Sequence, residues 1–190
     1  MQRDLVLRAQ TGDHDAFVSL AGAAFDRLHR SARLILRDNE AADDAVQEVL
    51  MAAWRDIRAV RDPDRFDAWL YRLLVNGCYR AANRDKRRRT MEIQVTPVDL
   101  PMPRSDHDDL LLRDELAGAF RRLTTEQRAV IVLHHYLGLP DAEAAQALGI
   151  PVGTFKSRLN RATTAMRAAL EADARGVGAS EPDLARESLT

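Results

Sequence analysis

Four polar side chains lie close together near the start of one predicted helix: Lys156, Ser157, Asn160 and Arg161. Ammonium, hydroxyl, amide and guanidinium groups are the ones that proteins use to contact phosphates and to hydrogen-bond with base edges. The opposite, apolar face of the same helix consists of Phe155, Leu159, Ala162, Met166 and Leu170. The spacing of three and four predicts an amphipathic helix whose polar face suits nucleic acid.

Two turn signals precede this helix. Gly149 stands where an Ala-rich helix must end and the backbone must turn sharply, which favours a residue that tolerates positive φ. Pro151 stands close to the start of the next helix, where its missing N–H does no harm. Helix, tight corner and polar-faced helix form the pattern of a helix-turn-helix, which inserts its second helix into the major groove. A solvated basic face on an ordinary helical hairpin is the alternative, and the two turn signals disfavour it.

The composition favours a helical protein of one ordinary domain or two small ones. The chain has 190 residues, of which 46% are hydrophobic, 30% charged and only 5% aromatic. The single cysteine, Cys78, lies in an apolar helical pattern and is expected to be buried and inert, as fits a reducing compartment. Because no apolar run approaches the length of a membrane span and the first residues lack a signal-peptide core, a cytoplasmic protein without membrane insertion is expected.

The net charge of −1 hides two basic blocks. Residues 1–90 carry a formal charge of +3 and residues 121–170 carry +4, whereas residues 91–120 carry −5 and residues 171–190 carry −3. Each basic block could contact a phosphate backbone, while the acidic segments would be repelled from it.

Loss of periodicity divides the chain into four parts. Residues 1–89, with a helical pattern from about Asp13, and residues 113–174 form two helical blocks. Residues 90–112 contain three prolines and read as an extended linker, and residues 175–190 read as a disordered tail. In the first block, Asn39 is the predicted N-cap of a helix from Glu40 to Arg58. A loop over Val60–Arg65 separates it from a third helix, which begins at Phe66 and ends in a cluster of basic residues at 84–89.

Three groups of motifs, in this order, carry a family resemblance: Asp43-Asp44-Ala45-Val46-Gln47-Glu48-Val49 with Ala53-Trp54-Arg55; Phe66-Asp67-Ala68-Trp69-Leu70-Tyr71-Arg72 with Asn76; and Leu123-Thr124, Gln127-Arg128 and Gly149-Ile150-Pro151-Val152-Gly153-Thr154-Phe155-Lys156-Ser157-Arg158. Over about residues 10–170 the sequence resembles bacterial RNA polymerase sigma factors of the extracytoplasmic-function (ECF) group. The resemblance implies an all-α fold with two small helical domains, called sigma regions 2 and 4, joined by the extended linker.

The resemblance also implies three sets of functional residues. Core RNA polymerase would be bound, through its β′ clamp, by Asp44, Gln47, Glu48, Met51 and Trp54. Single-stranded −10 DNA would be bound by Arg61, Arg65, Arg72, Asn76, Arg80, Arg84, Lys86 and Arg87, with the 60–65 loop receiving a flipped base. Duplex −35 DNA would be bound by Thr154, Lys156, Ser157, Arg158, Asn160 and Arg161.

Further expectations follow from the family. An anti-sigma factor and the polymerase β flap are implied partners, and acidic linker residues such as Asp106 would mimic nucleic acid. Two departures from the family pattern are Pro140, which stands where a Ser helix cap is common, and the pair Thr163 and Thr164, which stand where a basic residue is common.

No enzyme chemistry competes with these readings. The five histidines are scattered and, with one cysteine, form no metal-ligand spacing, so neither a metal nor a cofactor is expected. Two alternatives stay open: a helix-turn-helix regulator whose first block binds an effector or a second copy, and a helical adaptor whose basic faces bind acidic proteins.

Overall fold

The computed structural model describes residues 1–91 and 116–178, with side chains over 1–88 and 116–172. All regular secondary structure in these ranges is helical. The acidic linker residues around Asp106, the predicted start of the second helical block at residue 113 and the tail after Gly178 lie outside the described residues. No helix in the described part of the chain is both long enough and apolar enough to cross a bilayer.

Four α-helices form the first domain: α1 (Gln2–Gln10), α2 (His14–Leu36), α3 (Asn39–Asp56) and α4 (Phe66–Met91). Two short 3₁₀ turns, Ile57–Ala59 and Pro63–Arg65, connect α3 to α4. The core is built from the apolar stripes of the helices, including Leu28, Ile35, Val46 and Leu74, each at most 1% exposed. Helix α1 was not predicted, although its Val6 and Ala9 are buried in this core.

Helix ends follow the capping chemistry of neighbouring residues. The side chain of Asp38, and not that of Asn39, accepts a hydrogen bond from the N–H of Ala41 at 3.0 Å, so the predicted N-cap is wrong by one residue. Helix α3 ends at Asp56 rather than Arg58 because a 3₁₀ turn begins at Ile57. Helix α4 continues to Met91, so residues 90 and 91 of the predicted linker are helical.

The second domain contains helical residues 116–122 (α5), then α6 (Thr125–Ile131), α7 (Asp141–Leu148) and α8 (Val152–Gly178). A π-helical turn, Val132–Tyr136, continues from α6, and Thr124 and Gln127 form a capping box at the start of α6. Helix α8 continues to Gly178, so the predicted disordered tail is wrong for residues 175–178.

The two domains pack directly against each other. Helix α4 contacts α7 as well as α2 and α3, and α2 contacts α6 and the π-helical turn. Helix α7 offers a smooth surface for this packing because its buried residues, Ala144, Ala145 and Ala147, are all alanines. The sequence patterns of the separate blocks did not predict this contact.

Candidate nucleic-acid interface

The corner of the helix-turn-helix has the predicted geometry. Gly149 adopts a left-handed conformation with φ of 65°, and its N–H bonds to the carbonyl of Gln146 at 3.1 Å. The N–H of Ile150 bonds to the carbonyl of Ala145 at 3.0 Å, which closes the end of α7. Pro151 directly precedes α8 and its carbonyl accepts from the N–H of Phe155 at 3.0 Å. Phe155 and Ala162 are fully buried, so the apolar face of α8 is fixed against α6 and α7.

The polar face of α8 points to solvent. Lys156, Ser157, Asn160 and Arg161 are exposed, whereas Thr154 and Arg158 are half-buried. Within the helix, the Ser157 hydroxyl donates to the carbonyl of Thr154 at 2.9 Å, and Nε of Arg161 donates to the carbonyl of Ser157 at 3.3 Å. Four of the six predicted −35 contacts therefore form one accessible surface near the N-terminus of the helix.

An ion pair ties this surface to α7. Nζ of Lys156 lies 3.6 Å from Oδ2 of Asp141, the first residue of α7. The other carboxylate oxygen of Asp141 lies 3.4 Å from Nδ1 of His134 in the π-helical turn, an ion-pair distance without hydrogen-bond geometry. Pro140 stands at the N-cap of α7, where a Ser is common in the family, and its side chain makes no hydrogen bond to the start of this helix.

A second polar face runs along α4. Arg72, Asn76 and Arg80 are exposed and follow one another at intervals of four, which places them on one side of the helix. Arg61 and Arg65 are also exposed in the preceding connection. Arg65 is partly engaged, since its guanidinium lies 3.7 Å from Asp62 and donates to Oε1 of Gln146 in α7 at 3.3 Å.

Two predicted contacts with different partners meet in an ion pair. Nη2 of Arg84, predicted to bind DNA, lies 3.0 Å from Oε1 of Glu48, predicted to bind polymerase. Both side chains are partly exposed, so the pair adds little stability. Lys86 and Arg87 follow on the exposed surface of α4. The residues predicted to bind −10 DNA and those predicted to bind polymerase therefore adjoin each other on α3 and α4.

The predicted polymerase contacts border an apolar groove between α2 and α3. Met51 and Trp54 line it from α3, while Gln47 and Asp44 are exposed about one and two turns before Met51. The groove has a volume of about 440 Å³ and is lined by His14, Phe17, Val18, Ala21, Gly22, Phe25, Leu50, Met51 and Trp54. Met51 is 58% exposed and Val18 is 53% exposed. Sequence reasoning missed the α2 half, although Val18 and Phe25 repeat at helical spacing beside the buried stripe of α2.

The domain contact contains one buried guanidinium. Arg128 of α6 is 9% exposed and donates across the interface from Nε to the carbonyl of Ile35, at 2.6 Å. Burial lowers the pKa of Arg128 to about 10, which leaves the group protonated at neutral pH. Close by, burial raises the pKa of Tyr79 in α4 to about 12, with Glu126 adding to the rise and Arg158 opposing it.

The thiol of Cys78 is buried away from both polar faces and from solvent. Cys78 is fully buried in the first domain, and burial raises the pKa of its thiol to about 12. In the ranges that the structure describes, no three His, Cys, Asp or Glu side chains are grouped to hold a metal ion. What the described surface offers is two basic polar faces and one apolar groove.

Family models match both halves of the chain. The model for Sigma-70 region 2 matches residues 22–89, and the model for Sigma-70, region 4 matches residues 113–166. The fold and its two polar faces therefore define a sigma factor of the sigma-70 class.

Comparison with individual relatives places the chain more closely. It is 34% identical over 160 residues to the ECF RNA polymerase sigma factor SigM of Mycobacterium tuberculosis. This alignment covers 84% of this chain and 79% of SigM. It is 31% identical over 183 residues to the RNA polymerase sigma factor CnrH of Cupriavidus metallidurans. This alignment covers 90% of this chain and 95% of CnrH. The chain belongs to the ECF sigma factors, and it acts in promoter recognition during transcription initiation.

Two solved structures share the fold. The structure of CnrH in complex with the cytosolic domain of CnrY superimposes with a TM-score of 0.67 at 29% identity, over 90% of this chain and 98% of that one. The sigma factor RpoE from Bartonella quintana, in complex with the anti-sigma factor NepR, gives a TM-score of 0.69 at 25% identity, over 83% of this chain and 98% of that one.

Proposed function

We propose that the chain reads the −35 element with α8 and the −10 element with α4 while core RNA polymerase is bound at the groove between α2 and α3. In this assignment residues 1–89 form the polymerase and −10 domain and residues 113–174 form the −35 domain. The observation that carries it is that two exposed polar faces stand on separate domains of one chain: Lys156, Ser157, Asn160 and Arg161 on α8, and Arg72, Asn76 and Arg80 on α4. A helix-turn-helix regulator would need only the first.

The two faces suit different forms of DNA. The α8 face stands near a helix N-terminus beyond a tight corner, the arrangement that enters a major groove. The α4 face is a single row of arginine and asparagine next to a loop with two more arginines, which suits the backbone and bases of an unpaired strand. Binding the single strand better than the duplex would favour opening of the −10 region.

Promoter-library transcription tests the DNA assignment. Core polymerase plus this protein should initiate at a defined set of promoters in run-off assays, because a sigma factor supplies the specificity that core polymerase lacks. The double change Lys156→Ala and Arg161→Ala should reduce initiation by at least tenfold through loss of −35 contacts. Arg167→Ala, an exposed arginine further along α8, is the matched control and should leave initiation unchanged. Equal initiation by both variants would refute the −35 assignment.

The apolar groove is assigned to the polymerase. Exposed apolar surface of this kind marks protein interaction sites, and two of the five predicted polymerase contacts, Met51 and Trp54, line it. Asp44, Gln47 and Glu48 precede these residues on α3 and would add polar contacts with the polymerase. An apolar helix face of the β′ clamp would fill the groove.

Placing a charge in the groove tests this assignment. Val18→Asp should weaken binding to core polymerase by at least tenfold in a fluorescence anisotropy titration, because a carboxylate would be buried without a partner. Leu7→Asp is the control, since Leu7 is an exposed apolar residue of α1 that does not line the groove. If both variants bind core polymerase as tightly as the wild type does, the groove is not the docking surface.

An anti-sigma factor is an expected partner of this chain. RpoE was solved with the anti-sigma factor NepR and CnrH with the cytosolic domain of CnrY, and this chain shares their fold. Since its partners are polymerase and promoter DNA, the chain would work in the cytoplasm as a specificity subunit without an enzymatic activity of its own.

A further inference from the structure

The proposed −35 surface contains a carboxylate that opposes DNA. Asp141 lies at the edge of this surface, 3.6 Å from the ammonium group of Lys156. The Lys156 side chain is 63% exposed, so it could swing freely toward solvent if nothing held it. Asp141, the first residue of α7, is about one-third exposed, and its carboxylate lies between His134 of the π-helical turn and Lys156 of α8.

An acidic group at this place works against phosphate. If Lys156 contacts DNA, the Asp141 carboxylate lies within one Debye length, about 10 Å, of the phosphate backbone. The N-terminus of α7 would otherwise attract phosphate through its free N–H groups and dipole. The first turn instead carries Asp141 and Glu143, which occupy that end of the helix with negative charge.

The geometry of an ammonium group allows a base contact to survive this pairing. Lysine has three N–H donors, of which Asp141 can take one. The other two can still reach base-edge acceptors, such as O6 and N7 of guanine. Non-specific binding, by contrast, depends almost entirely on cations neutralising phosphates, and a lysine shared with a carboxylate contributes less to it.

We propose that Asp141 is a specificity-determining residue of the −35 surface: it positions Lys156 for a base edge and lowers the affinity of the protein for non-promoter DNA. The inference rests on the proposed role of α8. Asp141 is a positioning residue, because it acts through Lys156 and through repulsion of phosphate.

Removing the carboxylate from the full-length protein tests the inference. Asp141→Asn should bind a non-promoter duplex of about 30 base pairs two- to fivefold more tightly at low salt, as expected from release of an exposed ion pair. The salt dependence should steepen by up to one released counterion. Binding to a duplex with the −35 element recovered from the promoter library should not tighten, so the ratio of promoter to non-promoter affinity should fall.

A matched control separates the ion pair from a general charge effect. Glu143→Gln changes the net charge by the same amount in the same turn, and Glu143 makes no ion pair with any residue in the described ranges. In a Lys156→Ala background the effect of Asp141→Asn should fall to the size of the Glu143→Gln effect, because only the repulsion of phosphate remains, whereas any effect of Glu143→Gln should be unchanged. Asp141→Ser, which removes the charge but keeps a hydrogen-bonding side chain at the helix start, gives the same test if the Asn variant folds poorly.

Two results would overturn the inference. One is an Asp141→Asn effect of equal size with and without Lys156, which would make Asp141 an ordinary surface charge. The other is equal tightening on promoter and non-promoter DNA, which would remove the role in specificity. Failure of the −35 assignment itself has a different signature, because the Lys156→Ala and Arg161→Ala double variant would then keep its promoter affinity.

Discussion

Arg128 illustrates how one side chain can join two domains. Its guanidinium donates to the carbonyls of Leu123 at 2.7 Å and Phe120 at 3.5 Å and to the hydroxyl of Thr125 at 3.2 Å, all in the second domain. Its Nε donates to the carbonyl of Ile35, in the last turn of α2 in the first domain. That carbonyl belongs to the group that a helix end leaves unsatisfied, so Arg128 supplies its missing partner.

Replacing Arg128 by methionine should destabilise the protein strongly. Met keeps much of the apolar stem but leaves buried carbonyls unpaired, at about 1 to 3 kcal/mol for each that water cannot reach, so a loss of about 3 kcal/mol in the free energy of unfolding is expected. Because the folded pKa of about 10 keeps Arg128 charged at neutral pH, the loss should not change between about pH 6 and pH 8. Urea unfolding followed by circular dichroism measures it. Arg167→Met, on the exposed face of α8, should stay within about 0.5 kcal/mol of wild type, and equal stability of the two variants would contradict the role of Arg128.

The sequence predicted which residues near the sites are exposed or buried, but it did not predict their hydrogen bonds and ion pairs with residues far away in the chain. The polar face of α8 and the burial of Cys78 were predicted from local periodicity, and the structure confirms them. Arg128 was part of a recognised motif, but its bond to Ile35 joins residues 93 positions apart. No local pattern encodes such a contact, and the pairing of Arg84 with Glu48 was missed for the same reason.

At the scale of elements, Gly77 sets the distance between α3 and α4. A Cβ atom at this position would lie 3.0 Å from Cγ2 of Val49 and 3.7 Å from the carbonyl oxygen of Ala45. The two helices thus approach closely only because residue 77 has no side chain. Helix α4 carries the proposed −10 face and α3 the proposed polymerase contacts, so this packing fixes the two proposed surfaces relative to each other.

Gly77→Leu should separate these helices and destabilise the first domain. Overpacking of this kind costs about 1 to 3 kcal/mol, which exceeds the gain of about 1 kcal/mol from replacing a helical glycine. Thermal unfolding should show a lower midpoint. Gly22→Leu is the matched control in α2, because a Cβ there meets no atom within 4 Å, and it should leave the midpoint unchanged or raise it. A midpoint for the Gly77 variant at or above that of the Gly22 variant would show that the helices tolerate the added side chain.

The sequence pattern did not determine every short helix or the exact residue at which each helix begins. The long helices were predicted because their apolar residues recur over many turns, but α1 has only nine residues and was overlooked. The N-cap of α3 was misplaced because Asp38 and Asn39 are both good capping residues, and only the backbone geometry decides between them. The π-helical turn has no sequence signature, and it brings His134 to within 3.4 Å of Asp141.

At the scale of the whole molecule, the order of domains and the division of charge were predicted, but their mutual contact was not. The packing of α4 on α7 leaves both polar faces exposed while it places the two domains side by side. The −35 and −10 elements are named for positions about 25 base pairs apart, which is about 85 Å along B-DNA. Domains in direct contact cannot occupy both elements of one promoter.

We therefore expect the domains to separate when polymerase and promoter DNA are bound. The buried contacts of Arg128 with Ile35 and of α4 with α7 would break, and the contacts with polymerase and DNA would have to supply the free energy for that. Spin labels at Ala23→Cys and Ala168→Cys, both exposed positions outside the proposed sites, would report the distance between domains by pulsed electron resonance. The native Cys78 should not take up label, because it is buried and its pKa of about 12 leaves almost no thiolate at neutral pH.

The free protein should give a short, narrow distance distribution, and the complex with core polymerase and promoter DNA should give a longer one. Labels at Asp4→Cys and Ala23→Cys, both within the first domain, are the control and should keep one distance throughout. A distance between Ala23 and Ala168 that stays the same in the promoter complex would mean that the packed arrangement is itself the DNA-bound form, and that one of the two polar faces does not read its element. Because the two label pairs share Ala23, a change confined to the pair between domains reports movement of α8 relative to the first domain.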